Sequence, residues 1–433
     1  MKDDQRETGA SPAFSIHTLG CKVNRAESES IASALLEQGW HASGDKDADI
    51  VIVNTCTVTG EADHKNRKLI RGLLKSSGAP IIVTGCAVNV DADHYADLDA
   101  RVTCVRSKGE IPALARKLTE RAASPSLAQT EPAIPLSHGD GLLDGLFRTR
   151  VDVKIQDGCD NACTYCIVHT ARGPARSLSA ASVIERIDSI ARTGTQEAVL
   201  VGIDLGAYQS EGLDLAGLLE TLVQKTGIGR IRISSLEPQN LTRRLIDVLA
   251  KSDGRICRHL HLCLQSGSDR VLHEMARHYG AEEFRSSVEQ LRAAVPGIAL
   301  STDVIVGFPG ETDADFEQTM RMVEDCGFMR LHVFRYSKRP GTPAAERNDQ
   351  VPPEVSAKRA ESLRKLGAQL AAKDRAHRVG SCEQVVIERP GIATSESYHK
   401  VLVPRELEPG SLVTVRFTGV DEDAGALLAT RVD

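Results

Sequence analysis

Three times in its amino-terminal part the chain runs through a β-branched apolar stretch and stops on a cysteine. FSIHTLGC ends at Cys21, DIVIVNTC at Cys56 and IIVTGC at Cys86. Amphipathic stretches such as AESESIASALLEQG and EADHKNRKLIRGLLK separate these runs. Strand-length apolar segments alternating with helices must be covered on both faces, which predicts a doubly wound parallel α/β domain over 13–120. Parallel strands end on a common edge, where ligands bind. Cysteines 35 and 30 residues apart in sequence are therefore expected to converge in space. Buried free thiols are a common fate of cysteine, yet each of these three closes its strand. A second three-cysteine metal site is the favoured expectation.

The alternation resumes over 149–333, with strand candidates VDVKI, AVLVGI, RIRIS, LHLCL, ALSTDVIVGF and LHVF. Six βα repeats predict a partial (β/α)6 barrel whose site lies at the strand C-termini. Directly after the first of these strands comes DGCDNACTYCIV, which carries Cys159, Cys163 and Cys166. Three thiolates on one short loop can hold three corners of a [4Fe–4S] cube and leave one iron open. A zinc site completed by His169 is the alternative at this point, since three cysteines and a histidine form a common structural set.

The remaining segments bound the architecture. Residues 1–12 read as a disordered tail. Residues 121–144 lack periodicity and contain three prolines, so they read as a linker. The barrel domain is placed at 145–375, with a basic helix near its end. Residues 376–433 break into short β-like pieces with turns at Pro390-Gly391 and Pro409-Gly410, which predicts a small five-stranded OB-like barrel. Eleven cysteines with no export-type leader argue against a secreted disulfide framework. No apolar run approaches the roughly 20 residues that span a bilayer. A net charge of −6 gives no bulk attraction to nucleic acid.

The CxxxCxxC loop after the first barrel strand resembles the radical S-adenosylmethionine (SAM) superfamily. TLGCKVN, NTCTVT and VTGC resemble the amino-terminal domain of its methylthiotransferases, and the C-terminal module resembles a TRAM domain. The resemblance covers nearly the whole chain. It implies SAM and two [4Fe–4S] clusters, one on Cys159, Cys163 and Cys166 and one on Cys21, Cys56 and Cys86. It also implies SAM contacts at Tyr165 beside the adenine, at Gly202 in VGIDLGAY, at Ser234, Ser235 and Glu237 in SSLEP, and at Gln265 in LQSGSDRVLHEMARHY. TDVIVGFPGET reproduces a further signature at a strand end. Asn54, Thr55 and Gly85 resemble strand-end turns that bring backbone N–H groups to cluster sulfurs.

Methylthiotransferases act on isopentenylated tRNA adenosine, on threonylcarbamoylated tRNA adenosine, or on a ribosomal-protein aspartate. CKVN, NTCTVT and the stretch through ARGPARS resemble the threonylcarbamoyladenosine branch most. The resemblance thus implies a tRNA-modifying enzyme that adds a methylthio group to C2 of that nucleoside. A low-potential electron donor such as flavodoxin or ferredoxin and a cytoplasmic location follow from it. A non-catalytic zinc RNA-binding protein is the alternative in a different class. Candidate phosphate contacts are Lys65, Arg67, Lys68, Arg71 and Lys75 on one helix, Arg172 and Arg176 after the cysteine loop, and Lys338-Arg339. The C-terminal module has five basic against nine acidic residues over 382–433, a departure for an RNA-binding barrel. His169, Thr170 and Cys263 also depart from the family pattern. Cys104, Cys257, Cys263, Cys326 and Cys382 read as structural thiols, and His259, His261 and His278 as core or surface histidines.

Overall fold

The structure is a computed structural model that describes residues 11–120 and 149–432. Most of the expected tail and the whole of the expected linker at 121–144 lie outside the described residues. Ser11 and Pro12 are already tied to His41, which bonds the Ser11 hydroxyl and donates its backbone N–H to the Pro12 carbonyl. The chain divides into two units, and Thr170–Arg172 belongs with the first.

In the first unit, β1 (Ala13–Thr18), β2 (His41–Ala42), β3 (Ile50–Thr55), β4 (Ile81–Gly85) and β5 (Val102–Cys104) form one parallel sheet in the order β2-β1-β3-β4-β5. Both faces are covered, as the continuous apolar runs require. Helices α1 (Lys22–Glu37) and α5 (Ile111–Glu120) pack Ile31, Leu35, Ile111 and Ala115 against Phe14, Ile50, Ile52 and Ile82. On the other face α2 (Gly60–Ser76) packs Ile70 and Leu73 against Val51, Val53, Ile81 and Val83. The chain leaves β1 toward one face and β3 toward the other, so the strand order reverses between them. Such a switch point opens a crevice at the strand C-termini. The register pairs Thr18 with Asn54, Asn54 with Thr84, and Thr55 with Gly85.

The second unit holds six parallel strands in chain order: Arg150–Lys154, Glu197–Val201, Arg230–Ile233, His259–Leu262, Ala299–Val306 and Arg330–Arg335. The first three pair with one another, as do the last three, and an Ile231–Ile256 bridge lies where the two sheets meet. Among the described residues the sixth strand does not pair with the first, so the barrel has an open seam. Alternate residues (Ala198, Leu200, Ile231, Ile233, Leu260, Leu262, Leu300 and Val304) join the helices in one apolar core. The intervening residues therefore face the lumen, and beside Val199 and Val201 they include the polar Glu197, Arg230, Arg232, His259, His261, Ser301 and Asp303.

A helix from Pro353 to Arg378 packs against the sixth strand, with Leu331 filling the space a Cβ at Gly367 would need. That helix runs past the expected boundary at 375/376, and the small barrel begins at Cys382. The barrel closes with five strands, all pairs antiparallel except Lys400–Leu402 with Ala426–Arg431. Its junction with the central strands is polar. Arg230 and Arg232 are fully buried, share Glu197, and donate to the carbonyls of Gln384, Thr394, Ser395 and Glu396. Burial opposes the charge on Glu197, but Arg230, Arg232 and Arg150 hold its carboxyl well below the usual range. No helix among the described residues is long and apolar enough to cross a membrane.

Candidate functional site

At the C-terminal edge of the first sheet two glycines make room for sulfur. Gly20 has φ +106°, and a Cβ there would lie 2.6 Å from Cys56 Cβ and 2.9 Å from its Sγ. Gly85 has φ +101°, and a Cβ would meet the Thr55 carbonyl at 2.4 Å. Only glycine combines that backbone conformation with that approach. Asparagines then fix the loops. Asn24 donates to the carbonyls of Leu19 and Thr55, Asn54 to the Asn24 carbonyl, and Asn66 to the Cys56 carbonyl. Cys21 and Cys86 end up close enough to Cys56 to raise it, and Cys21 close enough to Cys86 to do the same.

Burial dominates the state of Cys56 and Cys86. It pushes Cys56 up to about 11, with Cys21 and Cys86 adding to the rise. It also raises Cys86, although Arg172 pulls against it. Arg172 Nε donates to Cys86 Sγ at 3.2 Å, and its other nitrogens donate to Glu27 at 2.8 Å and Asn24 at 2.6 Å. Lys108 reaches the same Glu27 at 3.2 Å. A buried guanidinium aimed at sulfur is a charge partner for a thiolate. Arg172 is therefore buried and committed, not part of a solvated basic rim.

In the second unit the cysteine loop is pinned at both ends. Gly158 (φ +72°) approaches so closely that a Cβ would sit 2.0 Å from the Pro174 carbonyl oxygen, and Cys159 N–H donates to the Gly173 carbonyl. Thr164 bonds backbone and hydroxyl to the carbonyls of Met275 and Glu274. Buried Gln156 clamps the loop to the turn after the second strand: its Nε2 donates to the Gly158 carbonyl, and its Oε1 accepts from Ile203 and Asp204 N–H. Each sulfur then receives one donor. Asn161 N–H points at Cys159 Sγ (3.4 Å), Arg277 at Cys163 Sγ (3.2 Å) and Val168 N–H at Cys166 Sγ (3.4 Å). Burial raises Cys159 to about 12 and Cys166 to about 11. Free thiols so placed stay protonated at neutral pH. A bound cationic metal would reverse that, because thiol ligands deprotonate on coordination. Two sets of three soft donors, each with sulfur-directed N–H groups, fit iron–sulfur clusters with an open corner.

The residues expected to touch SAM fall around this loop. Tyr165 packs beside Val271, Met275 and Phe308. Gly202 faces Gln156, whose Oε1 would lie 2.9 Å from a Cβ there. Ser234 Oγ is buried with no hydrogen-bond partner among the described residues, an unmet donor that suits a ligand. Glu237 is already engaged by Arg277 at 2.8 Å and by Asn161 at 3.3 Å. Gln265, at φ +64°, bonds the fifth strand through both backbone groups. Asp204 sits nearby, its carboxyl raised by burial and by Glu237. The roles of Gln156, Asn161, Arg172 and Arg277 were not legible in sequence, because their partners Ile203 and Asp204, Glu237, Glu27 and Cys86, and Cys163 lie far away along the chain.

His169 Nδ1 is buried without a partner among the described residues. Lys65 pairs with Glu61, Arg67 reaches His94, and Lys68, Arg71 and Lys75 are exposed on α2. Arg176 pairs with Asp157, and Arg339 is buried. Cys257 and Cys326 are buried, and Cys382 is exposed.

Comparison with known proteins matches residues 153–323 to the Radical SAM superfamily and residues 13–106 to the family described as Uncharacterized protein family UPF0004. The threonylcarbamoyladenosine tRNA methylthiotransferase MtaB of Chlamydia pneumoniae is 35% identical, over 95% of this chain and 96% of its own. The tRNA-2-methylthio-N(6)-dimethylallyladenosine synthase of Streptomyces viridosporus is 33% identical over 96% of this chain and 87% of its own. Among solved structures, the radical S-adenosylmethionine methyltransferase TsrM from Kitasatospora setae superposes with a TM-score of 0.55 at 15% identity, covering 78% of this chain and 77% of that one. That likeness speaks to the fold alone.

Proposed function

The chain belongs to the radical SAM methylthiotransferases, and from that premise we propose that it adds a methylthio group to C2 of N6-threonylcarbamoyladenosine in tRNA. Cys159, Cys163 and Cys166 would hold the cluster that binds SAM, and Cys21, Cys56 and Cys86 a second cluster. When bound, these groups supply an adenosyl radical able to remove hydrogen from an unactivated carbon, and a sulfur atom to replace it. The observation that carries this reading is the presence of a three-sulfur site in each unit, with N–H donors directed at all three sulfurs of the barrel loop and Arg172 directed at Cys86.

The chain's own residues orient the reaction. Arg277 ties Cys163 to Glu237, so the third-strand turn and the cysteine loop move together. Gln156 does the same for the cysteine loop and the second-strand turn that holds Gly202. Ser234, Glu237 and Tyr165 would line SAM, and the apolar wall of Tyr165, Phe308 and Met275 would exclude water from it. The C-terminal barrel reads as a TRAM-like module. A flavodoxin- or ferredoxin-class donor would supply electrons, and the cytoplasm is the proposed location. The 35% identity to the Chlamydia pneumoniae threonylcarbamoyladenosine enzyme supports that substrate over the dimethylallyl one.

The test is reconstituted enzyme with SAM, a low-potential reductant and tRNA bearing threonylcarbamoyladenosine, followed by nucleoside mass analysis. The methylthiolated nucleoside should accumulate. Product on dimethylallyladenosine tRNA alone would overturn the substrate, and one zinc per chain with no iron uptake would overturn the chemistry.

A further inference from the structure

The lumen of the central barrel is lined by charge, and its acids are already matched. Glu197 is neutralised by Arg230, Arg232 and Arg150. Asp303 Oδ1 lies 3.2 Å from both His261 Nε2 and His332 Nδ1. Burial opposes the charge on Asp303, yet hydrogen bonds from those imidazoles hold its carboxyl well below the ordinary range. Among the cations, Arg150 is spent on Glu388 at 2.6 Å.

Arg330 differs. It is exposed, forms no ion pair among the described residues, and lies with its guanidinium 5.5 Å from the Tyr398 ring. It borders a cavity of about 310 Å3 shared with Arg150, Arg389, Tyr398, Lys400 and Glu388, the last already paired with Arg150. Two residues along the same strand face is His332, with 46% of its side chain exposed and Nδ1 committed to Asp303. Its Nε2 is left to a ligand. Leu331 and Val333, between and beyond them, pack into the core instead. The register then pairs Phe334 with Ile305, which belongs to the apolar cluster around Tyr165. His332 thus stands about 7 Å below that cluster along the strand, and Arg330 a similar step further.

We infer that Arg330 and His332 form the subsite that reads the carboxylate and hydroxyl of the threonylcarbamoyl arm. The inference rests on the substrate proposed above and names what selects it. A guanidinium takes a carboxylate through two parallel hydrogen bonds. His332 Nε2, held toward the lumen by Asp303, accepts from the arm's hydroxyl when neutral and donates to its carboxylate when protonated. A dimethylallyl arm offers neither group. It would leave Arg330 covered and unpaired, which is costly and discriminates against it.

The experiment uses full-length reconstituted enzyme and two anticodon stem-loops, one with the natural threonylcarbamoyl acid and one with its carboxylate replaced by the neutral carboxamide. Wild type should lose about 10- to 100-fold in kcat/KM on the carboxamide, mostly through KM. Arg330→Gln should lose a similar factor on the acid and little more on the carboxamide, while Arg330→Lys recovers part of the loss. His332→Phe should behave likewise with a smaller factor. Wild-type rates equal on both RNAs would overturn the subsite without any variant having to fold. Equal losses by Arg330→Gln on both RNAs would overturn it too. Wild type inactive on both would instead sink the substrate reading and take the subsite with it.

Discussion

The two sulfur triplets make the same donor set by opposite routes. Cys159, Cys163 and Cys166 lie within one loop, so local backbone geometry alone brings them together. Cys21, Cys56 and Cys86 depend on the register of three parallel strands, and their proximity exists only when the sheet is folded. Each triplet has an arginine on one of its sulfurs, Arg277 in the first case and Arg172 in the second. A compact set can survive local disorder elsewhere, whereas a dispersed one is coupled to the stability of its whole domain.

The largest expected effects separate the two sites. Cys163→Ala should abolish reductive SAM cleavage, seen as loss of 5′-deoxyadenosine. Cys56→Ala should leave that cleavage intact and stop thiomethyl transfer to tRNA. Loss of both activities in Cys56→Ala would break the comparison.

Next come the glycines that make the dispersed site possible. Gly85→Ala or Gly20→Ala forces a side chain into a left-handed backbone and into atoms under 3 Å away. Each should destabilise the first unit by about 1–3 kcal/mol. Thermal unfolding should shift, and iron should be lost from the amino-terminal site first, with SAM cleavage retained. A variant with unchanged melting and full thiomethyl transfer would show that the close approach is dispensable.

Smaller effects sharpen the electrostatics. In metal-free protein, burial raises Cys56 and Cys166 to about 11 and Cys159 to about 12. Thiolate forms only as pH climbs toward those values, so alkylation of these three should be slow at pH 7 and accelerate through pH 9–11. Exposed Cys21 should be labelled first. Mass mapping that found Cys56 labelled ahead of Cys21 at pH 7 would contradict the burial described. The smallest effect is on potential: Arg277→Gln removes a positive partner from Cys163, which should lower the barrel cluster's reduction potential and leave the other unchanged.

The same contrast explains what could be read from sequence. The compact loop was visible as spacing, and the dispersed triplet as cysteines closing apolar runs, because parallel strands share an edge. The six barrel strands were visible too, from runs such as RIRIS and LHVF. What their alternation meant was not: Arg230, Arg232 and His332 look like surface polar residues until the barrel turns them inward. By sequence alone Arg172 is a candidate phosphate contact, because nothing local reveals that Glu27 and Cys86 enclose it. Its partners lie 145 and 86 positions away.

The claim of two independent clusters is tested most directly by iron and acid-labile sulfide in anaerobically reconstituted protein, wild type beside Cys56→Ala and Cys163→Ala. Wild type should hold about eight iron and each variant about four, with electron paramagnetic resonance showing a different cluster missing in each. About four iron in wild type, unchanged by Cys56→Ala, would contradict that claim.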